Sequence, residues 1–163
     1  MRLLATSTLA LLLAASPFAQ SGNSAGADSR TVDTPHLKLT TSTRASTDGT
    51  IALLLDVVPK PRMHVYAPGQ DGYIVVTLTL TPDPGVKVSA PQFPAPEKLF
   101  LEAVHETQLV YSKPFRIVQR ITLAHTSRTA IKGTLRYQAC DDKVCYLPKT
   151  VALEWSVGGK KKV

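Results

Sequence analysis

The chain has two cysteines, Cys140 and Cys145, within Tyr137-Gln138-Ala139-Cys140-Asp141-Asp142-Lys143-Val144-Cys145-Tyr146-Leu147-Pro148. Two thiols so close in sequence can close a structural disulfide, exchange electrons as a reversible disulfide, or join other ligands around a soft metal. They lie where one apolar alternation ends and the next begins, so a hairpin would bring their Cα atoms within the roughly 4.4–6.8 Å that a disulfide requires. A bridge over so short a loop restricts the unfolded chain by only about 2 kcal/mol, against about 5 kcal/mol for a loop of about 100 residues. At an exposed loop tip the same bond is open to an attacking thiolate, which reversible exchange needs. Asp141 and Asp142 disfavour a neighbouring thiolate and Lys143 favours one. A zinc set is not expected, because no second cysteine pair and no closely spaced histidines accompany the first. Met63-His64 beside a dithiol leaves cuprous copper as an alternative, and a purely structural bridge is another.

Other chemistries find less support. No serine nucleophile on a strand-to-helix elbow and no paired catalytic carboxylates stand out, so hydrolysis is not expected. His64 and His105 are lone histidines, whose default is a solvated or hydrogen-bonded side chain. Tyr66, Tyr111 and Tyr137 fall at strand positions and read first as packing residues, as does Trp155. The net charge is +7, but the basic residues are scattered, and Lys160, Lys161 and Lys162 sit together at the end. Nucleic acid is therefore not an expected partner.

The elements that must position the cysteines follow from length and periodicity. Of 163 residues, 44% are hydrophobic and 19% charged, a globular composition. Met1-Arg2, the largely apolar run Leu3–Ala15 and the small residues up to Ser21 read as a secretory signal over 1–21. That run falls short of the roughly 20 apolar residues a membrane span needs, so no integral segment is expected in the mature chain. Residues 22–35 read as a flexible linker, 36–157 as one domain and 158–163 as a basic tail. From His36 onward apolar residues recur at spacing two, as in Ile51, Leu53, Leu55 and Val57 or Ile74, Val76, Leu78 and Leu80. Together with Leu37–Thr41, Val86–Ser89, Leu109–Tyr111, Phe115–Leu123, Ile131–Ala139 and Val151–Val157, they predict about eight strands separated by turn residues. Pro96–Val104 is expected as a short helix or an ordered loop. The fold class is all-β, an antiparallel sandwich, with a closed barrel as the competing architecture.

The cysteine motif Tyr137–Pro148 resembles that of the amino-terminal periplasmic domain of the thiol:disulfide interchange protein DsbD and its stand-alone relatives. His64-Val65-Tyr66-Ala67-Pro68-Gly69 is similar to the family segment that sets an aromatic beside the cysteines, and Leu109-Val110-Tyr111 to the strand after its cap loop. The resemblance covers most of residues 36–157. It implies an immunoglobulin-like sandwich that takes electrons from a thioredoxin-like donor, such as a domain of a membrane electron importer, and gives them to oxidised exported proteins, without a cofactor. It further implies that Cys145 forms the mixed disulfide and Cys140 resolves it, that Tyr66 and Tyr146 wall the site, and that Leu101–Gln108, with Val104 and His105, forms the cap. Two features depart from the family pattern: Ala103-Val104-His105-Glu106 lacks the acidic-aromatic cap tip, and four residues rather than five separate the cysteines. The sequence ends at Val163 with neither a membrane electron-conducting domain nor a thioredoxin-like one, so the reductant is expected to be another protein and the location periplasmic. The rival of a different class is a non-enzymatic immunoglobulin-like binding module.

Overall fold

Alternating burial builds the sheets. The computed structural model describes residues 29–102, 105–124 and 129–158, which form twelve strands and no helix. One sheet runs β1 (Arg30–Asp33), β2 (Leu37–Ala45), β3 (Ile51–Pro59), β9 (Phe115–Leu123) and β6 (Val86–Val88), in that spatial order. A second holds β12 (Lys149–Val157), β10 (Thr129–Tyr137) and β5 (Thr77–Thr81), and a third holds β11 (Ala139–Cys140), β4 (His64–Tyr66), β8 (Glu106–Tyr111) and β7 (Glu97–Leu101). All of these strand pairs are antiparallel. In β2, Leu37, Leu39 and Thr41 are buried while Lys38 is exposed; in β10, Ile131 and Leu135 are buried between exposed Lys132 and Arg136. The inward residues of β2, β3 and β9 meet those of β10 and β12 in one apolar core. This is an immunoglobulin-like antiparallel β-sandwich.

Two bonds tie the layers. The Trp155 indole N–H donates to the Leu54 carbonyl at 2.9 Å, and the Thr41 hydroxyl donates to the Glu154 carbonyl at 2.8 Å. Trp155 thus buries its ring and satisfies its only polar atom in the same place. Gly133 lies opposite Leu80 and Leu153 on β10, and a Cβ there would stand 2.7 Å from the Thr79 carbonyl oxygen and 2.9 Å from a Leu80 methyl. Only glycine lets β5 approach so closely.

The architecture corrects two expectations. Arg30–Asp33, inside the stretch read as a linker, pairs with Lys38–Thr41 as β1, and Val32 packs on the core. Pro96–Val104 holds neither helix nor irregular loop where it is described: Glu97–Leu101 is β7, hydrogen-bonded along the free edge of β8, with Leu99 packed against Tyr66, Val110 and Cys140. An open sheet edge supplies backbone partners that one turn of helix would lack. The alternation over Ile74–Leu80 becomes a regular ladder only from Thr77. The residues expected as a signal, half of the linker and all of the tail but Gly158 lie outside the described residues.

Gly133→Ala is expected to lower stability by about 1–3 kcal/mol through overpacking. Urea unfolding should show a lower midpoint at an unchanged slope.

Candidate functional site

Gln138 alone separates β10 from β11, yet the two strands belong to different sheets. Cys140 therefore sits just past a sheet crossing, opposite His64 on β4. The chain then turns back: the Asp141 amide donates to the Val144 carbonyl at 3.0 Å, the Tyr146 amide to the Ala139 carbonyl at 2.9 Å, and Cys140 faces Cys145 as an isolated antiparallel bridge. The two cysteines form a disulfide, with Cα atoms 4.0 Å apart, slightly closer than the expected range of roughly 4.4–6.8 Å. Their surroundings differ sharply. Cys140 is 1% exposed, whereas Cys145 lies on the exposed face of the loop.

The loop is held by side chains as well as by the S–S bond. The Asp141 carboxylate accepts the backbone N–H of Lys143 at 2.8 Å, that of Val144 at 2.9 Å and the Tyr146 hydroxyl at 2.9 Å. The two backbone donors, then the Tyr146 hydroxyl, hold this carboxyl below its usual range, and the same contact raises the Tyr146 phenol. Tyr146 also stacks on the buried His36, with ring centroids 4.5 Å apart.

On the other side a groove of about 450 Å³ opens over the sulfurs, lined by Tyr66, Tyr73, Leu99, Phe100, Gln108 and the cysteine loop among others. The Tyr66 hydroxyl stands 3.5 Å from both Sγ atoms. Burial, helped by Tyr73 and Glu106, pushes its phenol up to about 12, so at neutral pH it is a proton-bearing donor. Tyr73 stacks on Tyr66 at 4.2 Å and donates its own hydroxyl to Glu106 at 3.0 Å, which binds the first aromatic pair to the β7–β8 hairpin. The rim is apolar and open, with Phe100 50% and Val144 52% exposed. A disulfide with one accessible sulfur, a neutral hydrogen-bond donor on both sulfurs and an apolar rim has the parts thiol–disulfide exchange uses: an attackable atom, a stabiliser for the leaving thiolate and a surface to dock on.

Residues 36–155 match the family model described as "Thiol:disulfide interchange protein DsbD, N-terminal". The chain belongs to that family. No curated protein sequence matches it. Among solved structures, the N-terminal periplasmic domain of ScsB from Proteus mirabilis superposes with a TM-score of 0.57 at 18% identity, covering 76% of this chain and 49% of that one. The chain thus spans about half the length of that ScsB structure, and the likeness shows the fold. The reduced N-terminal domain of Neisseria meningitidis DsbD gives a TM-score of 0.45 at 20% identity, covering 74% of this chain and 86% of that one. A complex of the DsbD and PilB N-terminal domains from the same organism gives 0.44 at 19%, covering 72% and 81%.

In this member of the family the structure brings Cys140, Cys145 and Tyr66 together. Tyr146 stands apart from the groove, bracing the loop against His36, and the second aromatic beside Tyr66 is Tyr73. His105 is an exposed turn residue in the left-handed region (φ 53°), edge-on to Phe100 at 6.4 Å. Val104, also expected in the cap, lies outside the described residues. The groove at the cysteines is lined by Leu99 and Phe100, just ahead of the expected cap, and by Leu101, Glu102 and Gln108 within it. Their signal was the alternation of Leu99 and Leu101 with Lys98 and Phe100, which reads as a strand once β8 offers an edge. Among the described residues, no group of three or more His, Cys, Asp or Glu side chains gathers as a metal set around Met63-His64 or elsewhere.

Tyr66→Phe removes only the hydroxyl. A hydrogen bond to a charged group contributes about 1.5–3 kcal/mol, so the reduced protein should show a thiol pKa raised by about one to two units, read from the pH dependence of alkylation.

Burial holds the His36 and His64 imidazoles below their ordinary value of 6.5, with the Lys149 charge adding to the effect at His36 and the Asp142 and Asp141 carboxylates opposing it at His64. As pH falls, the unfolded chain binds these protons first, so the stability they contribute is complete above about pH 6.5 and declines on acidification. The urea midpoint should drop between pH 7.5 and 5.5, and replacing both histidines by Gln should flatten that dependence.

Proposed function

We propose that this domain carries electron pairs between exported proteins by disulfide exchange through Cys145 and Cys140, in the periplasm. The observation that supports this best is the difference in exposure within one disulfide, Cys145 open and Cys140 sealed. A thiolate of a thioredoxin-like donor attacks Cys145 Sγ, the S–S bond breaks, and its electron pair leaves on Cys140 Sγ, beside the Tyr66 hydroxyl. The donor's second thiol, losing its proton, attacks its own bridged sulfur and expels Cys145. Two electrons and two protons have then entered the domain, and the donor is a disulfide.

The reduced pair gives those electrons to an oxidised exported protein by the same steps in reverse order. Cys145 attacks the acceptor disulfide to make the mixed species, and Cys140 attacks Cys145 Sγ to release the acceptor as a dithiol. The apolar rim of Phe100 and Val144 suits partners that surround their reactive cysteine with apolar surface, as thioredoxin-like domains do. The amino-terminal run Leu3–Ala15 supports export of the chain, and no described helix is long and apolar enough to cross a membrane. No cofactor enters either half-reaction.

Equilibration of the mature protein in graded thiol buffers, with alkylated cysteines counted by mass, tests the proposal. A potential of roughly −180 to −270 mV is expected, with a mixed disulfide trapped on Cys145 in Cys140→Ala; a potential below about −300 mV would assign the bond a structural role and leave a binding module.

A further inference from the structure

Among the buried polar groups that the exchange cycle leaves without a task, one lies directly across from Cys140. His64 is 2% exposed, and its Nε2 has no hydrogen-bond partner. A buried polar atom left unpaired costs about 1–3 kcal/mol, so its retention calls for an explanation. His64 is the Cα partner of Cys140 across the β4–β11 pair, and directly opposed residues project to the same face with Cβ atoms about 4.5–5.5 Å apart. Its ring stands edge-on to that of Tyr66, centroids 5.8 Å apart, and the Tyr66 hydroxyl touches both sulfurs. The imidazole therefore shares a sheet face with Cys140, directly across the β4–β11 pair.

Cys140 has a difficulty that this neighbour answers. It must attack as a thiolate, but burial favours the neutral thiol. We propose that His64 is the base for the resolving step, its Nε2 taking the Cys140 proton as the sulfur attacks. The proposal rests on the exchange reading above. In the disulfide state Cys140 Sγ is tied to Cys145 and Nε2 is idle; reduction frees the sulfur to turn toward it. The Cys140 S–H proton passes to Nε2, the sulfur bonds to Cys145 Sγ, the mixed disulfide breaks, and its electron pair departs on the partner's sulfur. The imidazolium then gives its proton to water or to the departing thiolate.

The ionisable groups facing His64 are Cys140 and the Asp141 and Asp142 carboxylates from the loop and the Tyr66 phenol on its own strand, while β8 presents the apolar Val110. Arg62, in the turn before β4, bears on Asp141 and Tyr146. Burial lowers the imidazole and the two carboxylates oppose that effect, so the ring is neutral at pH 7.

The reduced protein mixed with 5,5′-dithiobis(2-nitrobenzoate) separates the steps. Attack by Cys145 releases one thionitrobenzoate, and resolution by Cys140 releases a second, both read at one wavelength in stopped flow. In the unaltered protein the second release is expected to be level from about pH 7 to 8.5 and to fall below about 6.5, as a neutral imidazole base requires. A second release that instead climbs about tenfold per pH unit up to the thiol's own range near 8.5 overturns the proposal without any variant. In H64Q the first release should stay within about twofold, while the second slows by about 10² at pH 7 and acquires that climb. An H64Q protein that resolves at the original rate and with the original profile makes His64 a packing residue and likewise overturns the proposal. If the unaltered protein never releases the second equivalent, it is the exchange reading that fails, and this inference fails with it.

Discussion

β10 and β11 differ by one residue in sequence and by a whole sheet in space, and the site depends on that crossing. Through Tyr137 the chain is held by β12 and β5; from Ala139 it is held by β4. A strand committed to two sheets cannot slide in either register, so Cys140 is fixed from both sides. Its sulfur points into the cluster of Tyr66 and Val110, while the return of the chain at Tyr146 leaves Cys145 outside. Accessibility of one sulfur and protection of the other thus follow from backbone pairing before any side chain at the groove is considered.

The electrostatics of the site avoid full charges at the sulfurs. Two acidic residues adjoin Cys140 in sequence, and a thiolate beside two carboxylates would be penalised. Asp141 is instead turned to the loop amides and the Tyr146 hydroxyl. The group that does touch sulfur is the neutral phenol of Tyr66, which favours a thiolate by hydrogen bonding and needs no counter-charge of its own. Tyr73 and Glu106 fix that phenol from the β7–β8 side, so the hairpin that covers the site also aims its donor.

How much of this is legible in the sequence depends on what each element packs against. The long strands show themselves because apolar and polar residues alternate along them: Leu37–Leu39 and Ile131–Leu135 do so cleanly, whereas Leu53, Leu54 and Leu55 of β3 are all buried. β4 does not, because His64, Val65 and Tyr66 are all buried, one face on the core and the other under the groove. A three-residue strand covered on both sides has no period to detect. β7 was not expected for a different reason, since five residues after a proline-rich stretch become a strand only when β8 supplies a tertiary edge that sequence pattern cannot reveal. The cysteines were legible because their chemistry is carried by residue type, and Tyr66 only through the resemblance of its segment to the family's. Tyr73 and Leu99 were not, because an ordinary tyrosine and leucine acquire their role only when a stack and a hairpin bring them over the sulfurs.

The shortness of the disulfide loop bears on how the domain changes state. A bridge across so few residues constrains the unfolded chain weakly, so breaking it removes little stability. The loop keeps its shape by other means: backbone bonds between Asp141 and Val144 and between Tyr146 and Ala139, the Asp141 carboxylate on two further amides, and Tyr146 stacked on His36. None of these includes a sulfur atom. The oxidised and reduced domains can therefore share one backbone, and a partner meets the same groove before and after electrons pass. A long-range staple between sheets would have stabilised the fold more and would have made each reduction a partial unfolding. Placing the pair on a braced hairpin separates the redox change from the folding equilibrium, which is the physical condition for cycling many times without loss of structure.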